Sequence, residues 1–128
     1  MNPEPRAVRR VVVPVGGTDR EYLAQEQAVE MAAALGAPVF GLHIHTDVDP
    51  PRAVFQYLEQ QCERWGVPLE TRALGGTDAA AELLQETGPM DLVVIGTRRL
   101  GGAFHLGSVA NRLIQEGQGP VQVVRLGA

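Results

Sequence analysis

Five short apolar runs rich in β-branched residues alternate along this chain with stretches of helical periodicity. That alternation limits what the chain can fold into more than any other feature. The runs are Val8 to Val15 (VRRVVVPV), Val39 to His45 (VFGLHIH), Leu69 to Leu74 (LETRAL), Asp91 to Gly96 (DLVVIG) and Pro120 to Leu126 (PVQVVRL). Near-continuous apolar runs of this length suit strands buried on both faces, as in a parallel sheet. Leu69 to Leu74 instead alternates apolar and polar residues, which suits a strand nearer a sheet edge.

Between the runs lie helix signals. Thr18 to Glu21 (TDRE) has the capping-box pattern, followed at helical spacing by Ala24, Ala28, Met31, Ala32 and Leu35, with Gly36 and Pro38 as stop signals. Asp47 to Pro51 is a polar, proline-bearing loop. Val54, Tyr57, Leu58, Cys62 and Trp65 form a second stripe that stops at Gly66, and Trp65 is expected to close that helix against the sheet. After Gly75-Gly76, Thr77 or Asp78 can cap a third helix with Ala80, Leu83 and Leu84 inward. Ser108 can cap a fourth that carries Val109, Leu113 and Ile114. The pattern is β-α-β-α-β-α-β-α-β. With short connections it predicts right-handed crossovers and one α/β domain over 1–128: a three-layer, open, parallel five-stranded sheet with helices on both faces, Rossmann-like in its layering. Residues 1–7 are expected to form a flexible tail.

Composition narrows the function. Apolar residues make up 45% of the chain, enough for a packed core. The net charge of −4, with mixed signs along the chain, gives no electrostatic reason to expect nucleic acid or an anionic membrane as partner. No apolar run approaches the ~18 residues of a membrane span, and Met1 to Arg10 lacks the apolar stretch of a secretory signal. Cys62 is the single cysteine, so no internal disulfide can form, and a cytoplasmic location is the expectation. All eleven basic residues are arginine. The lysine of a P-loop and a Schiff-base lysine are therefore both excluded.

In open α/β sheets ligands sit outside the carboxyl ends of the strands, where the strand order reverses. Three glycine turns fall at such ends: Gly16-Gly17, Gly75-Gly76, and Gly96 with Gly101-Gly102. Order 3-2-1-4-5 would bring the turns at Gly16 and Gly96 to one crevice. Order 2-1-3-4-5 would bring together those at Gly16 and Gly75, and periodicity does not choose between the two. Gly107-Ser108 is the best anion site by chemistry, offering close backbone approach, a hydroxyl and the free amides of a helix start. The alternative reading is a turn followed by an N-cap. His43 and His45 share a strand face and, with Asp47, begin a metal-ligand set, but no further ligand follows at fixed spacing, so no metal is expected. Cys62 lies in an apolar stripe and reads as core. No Ser-His-Asp or Cys-His arrangement and no paired carboxylates at neighbouring strand ends are apparent, so no catalytic residue is assigned.

Several segments together resemble the universal stress proteins. These begin with a strand ending V-P-V-D-G-S, here Val13-Pro14-Val15-Gly16-Gly17-Thr18, and have a second ending L-H-V, here Leu42-His43-Ile44. Their fourth strand, D-L-I-V-[IM]-G-[ST]-[RH]-G, is matched by Asp91 to Arg99. Their L-G-S-V-A and P-V-L-V-V-R are matched by Leu106-Gly107-Ser108-Val109-Ala110 and Pro120 to Arg125. The resemblance implies order 3-2-1-4-5, the fold of the adenine nucleotide alpha hydrolase-like proteins, and a role in stress response. It also implies a homodimer that pairs through the last strand, Val121 to Leu126, and, in one branch, binding of ATP or AMP, with Mg²⁺ if the ligand is ATP. Carried over position by position, Pro14, Val15 and Ile44 match the adenine pocket. Ile95, Gly96, Gly107, Ser108 and Val109 match positions around ribose and phosphates.

Two departures stand out. The nucleotide-binding branch carries Gly-x2-Gly-x9-Gly-[ST]; here Arg99 replaces the second glycine, and Gly96 and Gly107 enclose two residues fewer than that spacing requires. Gly16 stands where the family usually has an aspartate that helps hold the nucleoside. Arg98 and Arg99 are either phosphate partners or a solvated pair at a loop tip. The expectation is a dimeric binding protein for an adenine nucleotide, with at most weak ATP hydrolysis. The alternatives are a non-nucleotide interaction module of the same family or, third, a hydrolase or transferase on a related fold.

Overall fold

A computed structural model of the chain describes residues 7–16, 22–45, 53–100, 103–105 and 108–125. The elements run β1 (Arg10–Pro14), α1 (Tyr22–Leu35), β2 (Val39–His45), α2 (Gln56–Trp65), β3 (Leu69–Gly75), α3 (Ala79–Glu86), β4 (Asp91–Gly96), β5 (Arg98–Leu100), β6 (Ala103–His105), α4 (Ser108–Glu116) and β7 (Val121–Val124). Five strands form one parallel sheet in the order β3-β2-β1-β4-β7. This is the 3-2-1-4-5 arrangement, with β7 as its fifth strand. The order reverses between β1 and β4.

Side chains leave each strand alternately to opposite faces, so the sheet buries two separate cores. Val11, Val13 and Val15 pack with Val39, Val94 and Val124 under α1 and α2, whose contribution includes Ala24, Ala28, Val29, Ala32, Leu58 and Cys62. Val12, Phe40, Leu42, Val93 and Ile95 pack under α3 and α4 against Leu83, Ala110 and Leu113. The three-layer architecture follows from this alternation. Gly41 brings α2 close to the sheet: a Cβ there would lie 2.6 Å from Leu58 Cδ2.

The helix stops act as their sequences indicate. Gly36 and Gly66 take φ of +66° and +67°, a left-handed conformation in which glycine carries no steric penalty. Of the two candidate caps of α3, Asp78 is the one used, its Oδ1 accepting from the Ala81 amide at 3.1 Å. The Thr18 to Glu21 cap and the Asp47 to Pro51 loop lie outside the described residues.

Three side chains read as helix-stripe residues do not pack as that spacing implies. Leu35, Trp65 and Ile114 are 47%, 48% and 50% exposed. Leu35 and Trp65 are the last residues of their helices, where a glycine turns the chain away. Trp65 does not close against the sheet. It lines a shallow groove of about 250 Å³ with Glu26, Glu30, Tyr57, Gln61 and Arg64. Beside it Tyr57 stacks on Tyr22 with centroids 4.0 Å apart and donates its hydroxyl proton to Glu26. That bond to a carboxylate pushes the Tyr57 phenol up to about 12 and ties α1 to α2.

A further difference lies in the glycine-rich segment. It contains an antiparallel pair, β5 with β6, in the register Arg98↔His105, Arg99↔Phe104 and Leu100↔Ala103. Residues 101 and 102, which join the two strands in sequence, lie outside the described residues.

Candidate functional site

The strand order reverses between β1 and β4, and proline explains why their pairing stops short there. β1 pairs with β2 as far as Pro14↔Leu42, but its pairing with β4 ends at Val12↔Val93. The amides of Val11 and Val15 both reach toward β2, donating to the carbonyls of Pro38 and Leu42 at 2.9 Å. In a parallel strand the intervening residues present their backbone groups to the other neighbour, so the donor due at position 14 would face β4. Proline has no N–H, and the ladder stops one rung early.

At this end of the sheet Pro14, Ile44 and Ile95 lie on the face covered by α3 and α4. Pro14 pairs in register with Leu42, a residue of that core, and Ile44 packs against the same core. Val109, in the first turn of α4, packs there too. Val15 does not join them, because its side chain is 3% exposed and belongs to the core under α1 and α2. Its backbone is turned to β2, the amide donating to Leu42 O and the carbonyl meeting His43. Gly16 follows it, half-buried. Gly96 ends β4 in register with Val124, and Ser108 starts α4 beyond the hairpin. Arg98 and Arg99 lie on β5. Gly107 is outside the described residues.

Three further residues shape this end of the sheet. His43 is 8% exposed, and its Nδ1 lies 2.6 Å from the Val15 carbonyl oxygen. A carbonyl only accepts, so the proton sits on Nδ1. His43 meets the Phe55 ring edge-on and stacks with His45, centroids 6.0 Å apart. It thus orients the end of β1. Thr97 is 6% exposed and donates its amide to Val124 O at 2.8 Å. Gln25, in the first turn of α1, is 1% exposed, and its Oε1 has no hydrogen-bond partner among the described residues. It lies on the stripe of Ala28, Val29 and Ala32, where periodicity alone predicts an apolar residue.

Among the described residues no group of three or more His, Cys, Asp or Glu is placed to hold a metal ion, and no helix is long and apolar enough to cross a membrane. Cys62 is buried, and burial pushes its thiol up to about 11. The thiolate needed for nucleophilic chemistry is thereby disfavoured.

The sequence and the fold resemble those of known proteins. A universal stress protein of Methanocaldococcus jannaschii is 28% identical, over 91% of this chain and 82% of its own length. One of Mycobacterium tuberculosis is 31% identical over 96% of this chain but only 47% of its own, so the chain spans about half the length of that relative. Among solved structures, a universal stress protein in complex with cAMP superposes with a TM-score of 0.74 at 25% identity, covering 94% of this chain and 99% of that one. The Archaeoglobus fulgidus protein in complex with dAMP superposes with a TM-score of 0.70 at 20% identity, over 94% and 99%, and shares the fold. The sequence profile of the universal stress protein family matches residues 7–125, and the chain belongs to that family.

Proposed function

We propose that this protein is a dimeric, stress-associated binding protein that takes an adenine nucleotide, ATP or AMP, in the crevice between the carboxyl ends of β1 and β4. The observation that carries this reading is the early end of the β1–β4 ladder at Pro14, which opens the switch point where α/β sheets hold their ligands. Pro14, Ile44 and Ile95 offer the base an apolar wall. Gly96 and Gly16 allow close backbone approach. Gly107, Ser108 and the first amides of α4, with Val109 behind them, offer a phosphate the positive end of a helix. Arg98 and Arg99 stand beside this path on β5 and supply the positive charge that lysine does not supply in this chain. The complex of a structural relative with cAMP supports a ligand of this class. If the ligand is ATP, Mg²⁺ accompanies it.

The reading is one of binding, because no side chain among the described residues is disposed as a general base for turnover. A second reading, an interaction module with no nucleotide, is favoured by Gly16, which leaves the crevice without the carboxylate usual at that position. Titration calorimetry with AMP, cyclic AMP and ATP separates the two. Saturable one-to-one binding of any of them supports the first reading, and no heat with any of them at millimolar concentration supports the second.

A further inference from the structure

We infer that His43 is a positioning residue for the ligand: by holding the Val15 carbonyl on β2 it fixes the Val15–Gly16 peptide at the edge of the switch point. The inference rests on the nucleotide reading above. It follows from where the two strands that flank the switch point send the backbone groups at their ends. β1 pairs with β2 no further than Pro14↔Leu42. Beyond that pair the Val15 amide donates to Leu42 O at 2.9 Å, and the Val15 carbonyl takes a side chain, His43 Nδ1 at 2.6 Å. On the other flank the Thr97 amide, next after β4, donates to Val124 O at 2.8 Å. The end of β1 is thus held toward β2 and the end of β4 toward β7.

The ring that makes this bond has little freedom. His43 is 8% exposed, meets Phe55, the N-cap residue of α2, edge-on, and stacks with His45. In a trans peptide the carbonyl and the N–H of the next residue point in opposite directions. The Val15–Gly16 peptide is trans. A Val15 carbonyl drawn to β2 therefore turns the Gly16 N–H toward β4, the side on which the ligand is proposed to lie. Pro14, a residue of the proposed apolar wall, is joined directly to Val15, so the same bond sets its place as well. Without the His43 donor, the carbonyl of a residue only 3% exposed loses its partner. The cost of a buried acceptor left unmade then favours a turn of the peptide away from this orientation.

The test is calorimetry on the full chain with AMP, cyclic AMP and ATP, well below the unfolding midpoint of each variant. His43→Leu keeps an apolar side chain against Phe55 and removes the donor. His43→Gln keeps a polar side chain and carries its donor one bond further out. Both should weaken binding about tenfold, the scale of one lost buried hydrogen bond. His43→Asn places an N–H where Nδ1–H stands and should bring affinity back to within about threefold of the parent. Asp91→Asn, at the opposite end of the strands, weakens the fold and should leave affinity unchanged. Parent-like affinity in His43→Leu and His43→Gln overturns the inference and leaves the nucleotide reading standing. An equal loss in all three His43 variants, Asn included, or a loss as large in Asp91→Asn also overturns it, since packing or stability would then be the cause. No binding of any of the three nucleotides by the parent overturns the nucleotide reading and the inference with it. Long-range proton–nitrogen spectra of the histidine rings give a readout that needs no ligand. Nδ1 of His43 should carry a proton, and a ring protonated on Nε2 alone overturns the inference.

Discussion

Arg10 and Asp91 face each other in register at the amino-terminal ends of β1 and β4, with Arg10 Nε 3.1 Å from Asp91 Oδ1. The Asp91 carboxylate is fully buried. It also accepts from the Gly88 amide at 2.8 Å and from Arg9 Nε and Nη2 at 3.2 and 3.1 Å. Arg10 in turn lies 4.4 Å over the Phe40 ring and donates to the Glu86 carbonyl. The pair fastens the two central strands at the end opposite the crevice.

This geometry predicts an acid-sensitive fold. Burial by itself would raise the Asp91 carboxyl, but the Gly88 amide and the two guanidinium groups outweigh it and hold the carboxyl below its ordinary value. A depressed carboxyl contributes stability that is fully present above the unfolded value of about 3.9 and is lost as pH falls through the folded value. Urea unfolding should therefore weaken from pH 5 downward in the parent and show a shallower slope over that window in Asp91→Asn. At pH 7, Asp91→Ala should cost about 3–5 kcal/mol, because it leaves buried donors unpaired. Arg10→Met should cost more than Arg9→Met, since the Arg10 side chain is 18% exposed and that of Arg9 61%.

Two glycines predict unequal responses to the same added methyl. A Cβ at Gly119 would lie 2.5 Å from the Asp91 carbonyl oxygen and 2.7 Å from that of Gly88, both backbone atoms held by the Asp91 cluster. A Cβ at Gly41 would meet Leu58 Cδ2, the far end of a side chain that can rotate. Gly119→Ala should lower stability by about 2–4 kcal/mol, and Gly41→Ala by about 1–3 kcal/mol, in the range of overpacking. Chemical denaturation of both variants checks the order, and Gly41→Ala proving the more harmful would contradict it.

How far the sequence could be read is visible in these same elements. Strand and helix order, the two-faced sheet and the glycine stops follow from periodicity and local backbone chemistry, which act within a few residues. The reversal between β1 and β4 needed the resemblance, because local patterning does not encode which strand lies beside which. Pro14 was present as a signal, but its consequence, a ladder cut short, depends on a partner strand distant in sequence, and the pairing of β5 with β6 depends on register. Gln25 carries no pattern that marks it, and the matched segments that hold His43 and Thr97 do not show what those two residues bond. Their roles come from burial and from single hydrogen bonds made only after the strands are assembled. Trp65 and Ile114 satisfy an apolar spacing and still face outward, since spacing fixes a face of the helix without fixing what covers it.

Gln25 predicts a stabilising substitution. Its buried Oε1 has no partner among the described residues, and a buried acceptor left unmade costs about 1–3 kcal/mol. Gln25→Leu keeps the volume close and removes the polar group on a stripe that is otherwise apolar. The variant should unfold at a higher midpoint than the parent. A loss of stability would show that the amide is satisfied in solution, for example by water.

The exposed edge of β7 predicts self-association. β7 pairs with β4 on one side only and ends the sheet. Val123 is 38% exposed on this edge and Ile114, on the helix above it, 50%. An apolar edge strand with open backbone groups invites pairing with another strand, and a second copy of the same edge is self-complementary about a two-fold axis. Pairing of Val121 to Leu126 with its two-fold mate would cover both side chains and satisfy both rows of backbone groups. Sedimentation equilibrium at micromolar concentration should give the mass of a dimer. Val123→Arg should shift it to a monomer, because two like charges would then be buried near the axis, while Trp65→Arg, on the far groove between α1 and α2, should leave the dimer intact. A monomer in the parent protein at that concentration would refute the edge pairing.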